Sequence, residues 1–525
     1  MNHNTALVHD PPATLVLVCA DAGRLAPGLV LAELAERVSA RAFNTQVVVA
    51  ESLCARLAAM KHAVELAGAR RLVLALCSDG TPRPEVDSLA RKARLDPFGV
   101  QIVLFNALKE APPCSVQDTA VLLLTAAVAR AQAFRGSRPE NWKAVVARDS
   151  HIVSRRSLFT LPPVTYAAVP TINREFCAAD AGCDLCITAC PGKALAQTGG
   201  RVQVNLSACS SCGMCVSVCP KRAVELPGWS PEEMEAQMAV YLAANGDQAA
   251  HGLLFVCNNA TQQPPASWLP VTTPCTATAP AAALLHALAR GAAAVSVAPC
   301  TGACPFNVGD QIQGTIDYCQ RLLEAMGENP QRVGLYHPGA AAPLPPMLGV
   351  GAGDGGIDEP QALFGSGAAA QAVLSLALRL GASDAAIVLE HTHSPLGVVV
   401  IDPESCTGCG SCARMCPTGA LAFEGEQEQV VLSFDAGLCV GCGYCVARCP
   451  EQKNGAIAVQ KKTDLTLLTR GRRHLYQDQI ALCQECGGPI GTSRMLSRIA
   501  SLLGSEGQGH LDQGLCPACR SASWL

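Results

Sequence analysis

Aromatic side chains make up only 4% of this 525-residue chain, and charged ones only 16%. The charges nearly cancel, at a formal net of −4. Bulk electrostatics therefore exclude a basic nucleic-acid binder and a disordered polyelectrolyte. No apolar run approaches the roughly 18 residues a membrane helix needs. The longest candidate, residues 119–130, stops at Arg130. The opening MNHNTALVHDPP lacks the basic and apolar regions of a secretory signal, so a cytoplasmic protein is expected. Catalytic motifs are missing too. Neither G-x-S-x-G, nor a G-x-x-x-x-G-K-[ST] phosphate loop, nor the C-x-x-x-C-x-x-C of radical enzymes occurs. The one GxGxxG candidate, Gly351 to Gly356, follows PLPPML rather than a strand and reads as part of a Gly/Pro linker at 338–358. SRRSLF at 154–159 reads as solvated linker. No catalytic residue is assigned.

Cysteine, by contrast, is abundant: there are 29. Without a secretory signal, these thiols are expected to be reduced or bound to metal. Eight lie at 177–219, eight at 406–449, five at 257–319 and four at 483–519; the rest are Cys19, Cys54, Cys77 and Cys114.

The strongest signal is CTGCGSCARMCP followed by CVGCGYCVARCP at 406–450. Both blocks have the C-x-x-C-x-x-C-x-x-x-C-P spacing of a bacterial two-cluster ferredoxin. Three closely spaced thiolates on one loop reach three irons of a cubane. The fourth cysteine starts a helix leading away and reaches the other cluster. Cys406, Cys409, Cys412 and Cys449 are expected to hold one [4Fe–4S] cluster, and Cys439, Cys442, Cys445 and Cys416 the second. A pair of zinc knuckles is the alternative, but two complete motifs coincide. Residues 177–220 repeat the pattern with one departure, CAADAGCDLCITACP, in which five residues separate Cys177 from Cys183. A longer loop can still deliver the thiolate. Cys177, Cys183, Cys186 and Cys219 form one expected set, and Cys209, Cys212, Cys215 and Cys190 another; if Cys177 is no ligand, a three-iron cluster remains. Small strands at RVQVN and VVLSF fit the doubled α+β ferredoxin module.

In the central region the strands LLFVC and AAVSVAPC end in Cys257 and Cys300, with Cys275 and Cys304 nearby. Ligands of open α/β sheets bind beyond the carboxyl ends of strands, so these four thiols converge and suit a [2Fe–2S] cluster. The alternative is buried apolar cysteines. Cys319 reads as core. With its FVC strand end, the ALARGAAAVSV run and the closing NPQRVGLY, this region resembles the delta subunit of methyl-viologen-reducing hydrogenases. That resemblance implies a [2Fe–2S] cluster and electron transfer between a hydrogenase or formate dehydrogenase and a heterodisulfide-reductase-like partner. Here the first motif is CNN, without a second cysteine beside it.

The N-terminal 135 residues alternate strands and helices: TLVLVC, LVLAELAERVSA, TQVVVA, ARLAAMKHAVELAG, RLVLALC, then VQIVLFN after a turn at DGTPRP. That is a parallel α/β pattern. Cys19, SLCARLAAMKHAVE around Cys54 and LVLALCSDGTPRPE around Cys77 resemble the N-terminal domain of the heterodisulfide reductase A subunit. The resemblance implies an iron–sulfur cluster here. Asp21 stands where a second cysteine is expected, so buried structural cysteines remain the alternative. The flavin domain of that family is missing: the chain runs almost directly to the segment at 177.

CQECGG and CPACR near the C-terminus pair Cys483 and Cys486 with Cys516 and Cys519. Such knuckles wrap one tetrahedral Zn²⁺. A rubredoxin-like iron is the runner-up, less favoured because so many other sites already carry electrons.

The expected architecture is multidomain α/β plus α+β: an α/β domain at 1–135, a linker at 136–170, ferredoxin modules at 171–228 and 396–463, a central α/β [2Fe–2S] domain at 249–395, and a zinc-ribbon-like tail at 464–525. The domain order suggests one-electron sites running from one ferredoxin module to the other, with the central domain between them. The expected function is a multi-cluster electron-transfer subunit serving a redox partner protein, probing neither nucleic acid nor membrane. A redox-sensing, assembly or regulatory metal-binding protein is the alternative.

Overall fold

Strands buried on both faces read as nearly continuous apolar runs, and two parallel sheets grow from such runs. The computed structural model describes residues 14–77, 83–110, 113–145, 165–243, 252–258, 268–299, 306, 308–336, 362–426, 429–511 and 514–522. In the N-terminal domain Thr14–Cys19 is buried at every position and pairs in parallel with Thr45–Ala50 and Arg71–Leu76; Gln101–Leu104 closes the far edge. The turn expected between the last two strands holds a further helix, Arg83–Lys92. A parallel pair needs such a crossover. Leu31–Arg41 and the 21-residue Pro113–Ala133 supply further helical cover.

The central sheet pairs Gly252–Cys257 with Trp268–Thr273 and Val295–Val297, and Val333–Leu335 follows at the edge, all parallel. Helices Ala281–Ala289, Gly309–Ala325 and Ala368–Arg379 belong to this domain. The strand in AIVLE does not join this sheet. Val388–Glu390 pairs antiparallel with Ile457–Asp464 of the second ferredoxin module. Its backbone finds partners there, at Val388↔Asp464 and Glu390↔Lys462.

Both ferredoxin modules share one plan. An outer antiparallel pair joins the module's ends, Thr171–Ile172 with Val224–Glu225 in the first and Gly397–Ile401 with Ile457–Asp464 in the second. An inner hairpin, Leu195–Thr198 with Arg201–Val204 or Leu421–Glu426 with Gln429–Phe434, covers the other side. The C-terminal tail is continuous with the second module, because Arg473–Leu482 adds to Gln429–Phe434 and then pairs with Pro489–Thr492. Within the expected linker at 136–170, Trp142–Val145 pairs with Thr165–Ala168. The anchor is Trp142, packed edge-on against Phe98 and Tyr166 at 5.9 and 5.6 Å. SRRSLF and the Gly351–Gly356 motif lie outside the described residues.

One buried cation ties three parts together. Arg130, at the end of Pro113–Ala133, donates from Nη1 to Gln237 Oε1 and the Thr272 carbonyl, both 2.9 Å, and from Nη2 to the Gly228 carbonyl at 3.0 Å. Gln237 lies on Pro231–Ala243, a helix in the stretch between module and central domain. That helix starts with a capping box: Ser230 Oγ accepts from the Glu233 N–H, and Glu233 Oε2 accepts from the Ser230 N–H at 3.0 Å. Removing one partner of a buried charged network costs about 3–5 kcal/mol. Arg130→Ala should therefore lower the first calorimetric unfolding transition of the intact chain by an amount of that order. Burial pushes the Glu233 carboxyl up to about 7, although Arg130 pulls it down. A raised carboxyl pKa costs nothing while the group is protonated in both states, and it costs stability as pH rises from the unfolded value through the folded one. Wild-type melting temperature should thus fall between about pH 4.5 and pH 7 by a component missing in Glu233→Gln, which keeps the cap; melting across that pH range checks it.

Candidate metal centres

Each ferredoxin motif is a loop that turns on glycine and runs into a one-turn helix. Gly410 and Gly441 have φ of +69° and +62°, and a Cβ at either would meet the Phe423 ring at 2.6 Å or the Lys461 chain at 2.9 Å. A side chain at either would be strained, although the first module carries Ser211 with φ of +60° at the position matching Gly441. The fourth cysteine of each motif comes just past its short helix, Cys416 after Ser411–Arg414 and Cys449 after Tyr444–Ala447. It leaves its own loop for the neighbouring one. One cavity is lined by Cys406, Cys409, Cys412 and Cys449, with Ile401, Phe423 and Leu432 as walls. In the first module a cavity is lined by Cys209, Cys212, Cys215 and Cys190.

The other two sets are gathered as well. Burial pushes the Cys186 thiol up to about 12, with Cys219, Cys183 and Cys177 adding to the effect. Burial does the same to Cys445, also to about 12, helped by Cys439, Cys442, Cys412 and Cys416. Cys412 is pushed to about 12 by burial and by Cys406, Cys409 and Cys449. These three thiols do not ionise on their own near neutral pH. A bound cation reverses that, because a coordinating thiol gives up its proton outright. Backbone donors already face the fourth sulfurs: Ala194 N is 3.3 Å from Cys190 Sγ and Ala223 N is 3.2 Å from Cys219 Sγ. On this chemistry the four sets fit iron–sulfur clusters. Cys177 lies near enough to raise the Cys183 and Cys186 thiols across the widened loop.

The modules also touch each other. Asp184, between Cys183 and Cys186, offers its N–H to the Tyr444 hydroxyl at 2.8 Å, and that hydroxyl donates to the Asp184 carboxylate. Tyr444 stands between Cys442 and Cys445. A Cβ on Gly182 would lie 2.9 Å from Arg448 Nη2. Cys442 lies near enough to raise the Cys183 thiol, beyond the effects of burial and of Cys219 and Cys177. The central domain is therefore not interposed between the modules, as the domain order suggested. It touches both: Ser217 Oγ of the first module donates to the Thr278 carbonyl at 2.7 Å, a Cβ on Gly213 would lie 3.4 Å from Pro274, and the Tyr318 hydroxyl of the central domain lies 2.9 Å from Thr463 Oγ1 of the second module.

In the central domain Cys257 and the buried Cys275 lie at the ends of adjacent strands, with Cys257 Sγ 3.4 Å from the Pro274 carbonyl. Cys300 and Cys304 lie outside the described residues. Cys319 is fully buried within Gly309–Ala325, and burial alone pushes its thiol up. At the C-terminus the sulfurs of Cys483, Cys486, Cys516 and Cys519 all lie within 4.8 Å of one another, which suits a tetrahedral four-thiolate ion. The N–H groups of Cys486 and Cys516 hold the Cys483 thiol down at about 6. The sulfurs of Cys19, Cys54 and Cys77 are gathered to the same limit, with Cys54–Cys77 at 3.0 Å and Cys77–Cys19 at 3.6 Å. The Cys114 side chain lies outside the described residues. His391 pairs with Asp317 at 2.8 Å.

Comparison with known families agrees with the motifs. Residues 405–453 and 170–220 each match a family model described as a 4Fe-4S dicluster domain. Residues 245–343 match the model described as the delta subunit of methyl-viologen-reducing hydrogenase. None of these three models covers the N-terminal domain. No curated protein matches the chain. The two dicluster domains allow up to four [4Fe–4S] clusters, and the class is an iron–sulfur protein of the electron-transfer kind. Among the described residues no helix is long and apolar enough to cross a membrane.

Two groups near the sites carry no sequence signature: Asp184 as the partner of Tyr444, and Lys461. Lys461 Nζ donates to the carbonyls of Ser394 at 3.1 Å and Val440 at 2.9 Å, beside the Cys439–Cys442 loop. A fixed positive charge there favours an added electron. Lys461→Gln should lower the midpoint potential of one centre, leave the other three in place and leave the iron content unchanged; potentiometric EPR checks all three.

Proposed function

We propose that this chain is a multi-cluster electron-transfer subunit that relays electrons between a partner oxidoreductase and an acceptor. The observation that carries the reading is the direct Asp184–Tyr444 contact between the two ferredoxin modules. On this reading the contact puts four cysteine groups in series: the Cys209 set, the Cys177 set, the Cys439 set and the Cys406 set. Clusters held there supply one-electron exchange. The chain's own residues keep the sets close, wrap them in apolar side chains and fix the order.

Each end of the row meets a further candidate centre. Beyond the Cys209 set lie Cys257 and Cys275, which with Cys300 and Cys304 would hold a [2Fe–2S] cluster. Beyond the Cys406 set lies the C-terminal four-cysteine group, which would hold zinc. Thr492 Oγ1 donates to the Thr407 carbonyl at 2.5 Å, and Arg494 Nη1 to the Glu404 carbonyl at 2.8 Å, so the tail sits against the Cys406 loop. The match to a hydrogenase delta subunit supports a partner of hydrogenase, formate dehydrogenase or heterodisulfide-reductase type, docking at the central domain.

The test uses the full chain purified without oxygen. It should carry about sixteen irons in its two dicluster modules, accept electrons from dithionite, and oxidise neither H₂, formate nor NADH alone. With a hydrogenase or formate dehydrogenase added, electrons should pass to an artificial acceptor. Cys209→Ala or Cys406→Ala should cut that coupled rate at least tenfold without changing the partner's own turnover. Stoichiometric flavin, or NADH oxidation by the chain alone, sinks the relay; specific binding to DNA or an assembly factor without turnover moves the chain to the regulatory reading.

A further inference from the structure

The N-terminal and central domains, which share no obvious sequence identity, have the same layout element by element. Each sheet has four parallel strands in the spatial order second, first, third, fourth. Each opens with a six-residue strand ending Val-Cys: TLVLVC at Thr14–Cys19 and GLLFVC at Gly252–Cys257. Each second strand has six residues and is followed by a cysteine, Cys54 or Cys275, and then by a nine-residue helix, Ala59–Ala67 or Ala281–Ala289. Both helices run out into a Gly-Ala pair whose glycine has positive φ, Gly68 at +61° and Gly291 at +100°.

The agreement extends to the register. Leu15 pairs with Leu72, and Leu253 with Val295; each partner stands four residues past its glycine. Counting on, the next cysteine comes nine residues after the glycine in both copies, Cys77 after Gly68 and Cys300 after Gly291. The fourth strands are entered alike. Asp96 and Asn329 each precede a proline that opens a short 3-10 turn, and each accepts from the N–H two residues on, Phe98 at 3.0 Å and Gln331 at 2.9 Å. A valine follows both turns, and a helix follows both fourth strands, Pro113–Ala133 and Ala368–Arg379. The copies differ in the first crossover, where the N-terminal one carries Leu31–Arg41 and the central one has only ten residues.

We infer that the N-terminal domain is a second copy of the central domain, and that Cys19, Cys54 and Cys77, the counterparts of Cys257, Cys275 and Cys300, form a metal site of their own that takes one soft divalent ion. The geometry sets the class of ligand. Metal–thiolate bonds of about 2.3 Å in a tetrahedron place sulfurs about 3.8 Å apart. The three sulfurs lie within 4.8 Å of one another, as do those of the C-terminal group, whereas none of the ferredoxin sets is gathered so closely among the described residues. A single ion fits this spacing. The fourth cysteine has no counterpart: four residues past Cys300 stands Cys304, and four past Cys77 stands Thr81. Asp21 stands beside the site, its Oδ2 3.8 Å from Cys19 Sγ and its other oxygen 3.8 Å from Arg24. The duplicated site is thus a three-thiolate one with a fourth position left to oxygen.

The test measures zinc, iron and acid-labile sulfide in the full chain purified without oxygen, against Cys54→Ala and Cys77→Ala. Each variant should lose one ion per chain, zinc or iron, and no sulfide, with the cubane absorption unchanged. Unchanged metal overturns the site; loss of two or more irons with matching sulfide overturns the single ion. Should either variant fail to fold, the parent decides. Iodoacetamide with peptide mapping should find Cys54 and Cys77 blocked until a zinc and iron chelator is added, at a chelator level that spares the cubanes. Modification that ignores the chelator overturns the proposal.

Discussion

Sulfur crowded away from water is the constraint on which the ferredoxin half of this chain depends. Around each pair of loops, burial and neighbouring thiols push cysteines such as Cys186, Cys412 and Cys445 to about 12, so the apoprotein keeps them protonated. The surrounding regular structure is slight: helices of four residues, with two-stranded pairs in the first module and pairs extended by a strand or two in the second. Modules this small bury too little apolar surface to close by themselves. A metal centre that turns such buried thiols into ligands therefore contributes folding energy as well as redox chemistry.

Closeness between parts is obtained with small side chains, which accounts for the scarcity of aromatics. Ala281–Ala289 packs against Ala368–Arg379, and both are rich in alanine. A Cβ on Gly397 would fall 2.6 Å from the Gly441 Cα and 3.2 Å from Cys439 Sγ, so the outer strand of the second module lies directly on its cysteine loop. Some of the large rings sit at junctions: Trp229 is buried against Phe364 at 6.1 Å, and Trp142 pins the segment after the N-terminal domain. The two uses are complementary, since small residues bring backbones together and rings fill the seams that remain.

What could be read in the sequence was whatever sat on a local spacing. C-x-x-C-x-x-C-x-x-x-C-P places three sulfurs on one loop and the fourth on its helix, and the crossed pairing follows from that geometry; the cavities beside Cys449 and Cys190 have that composition. The strand ends at Cys19 and Cys257 were equally plain. Long-range partners were not. Asp184 and Tyr444 are 260 residues apart and ordinary in type, so nothing local announces their contact. Val388–Glu390 is too short to reveal which sheet will take it. The helix Arg83–Lys92 was hidden by the turn-like DGTPRP before it, although the parallel pairing of the strands around it demands a crossover. Sequence order also misled at the largest scale, because the central domain lies between the modules in the chain and beside them in space.

The spatial order follows from where each kind of site is built. Parallel sheets gather the residues that follow their strands at one edge, so a cysteine after each of three strands converges without any local motif. Ferredoxin loops instead carry their own spacing and need only a surface to lie on. The central domain presents the edge bearing Cys257 and Cys275 close to the loop of Gly213, and the second module offers Tyr444 to the loop of Asp184. Both of these contacts join a cysteine-bearing loop or strand end to the next, whereas Arg130 to Gln237 and Tyr318 to Thr463 join elements without cluster cysteines. Weakly coupled domains would have put their clusters wherever stability allowed. Here the Asp184–Tyr444 and Ser217–Thr278 contacts lie on cysteine-bearing loops, so part of the packing that assembles the chain also sets which cysteine groups are neighbours.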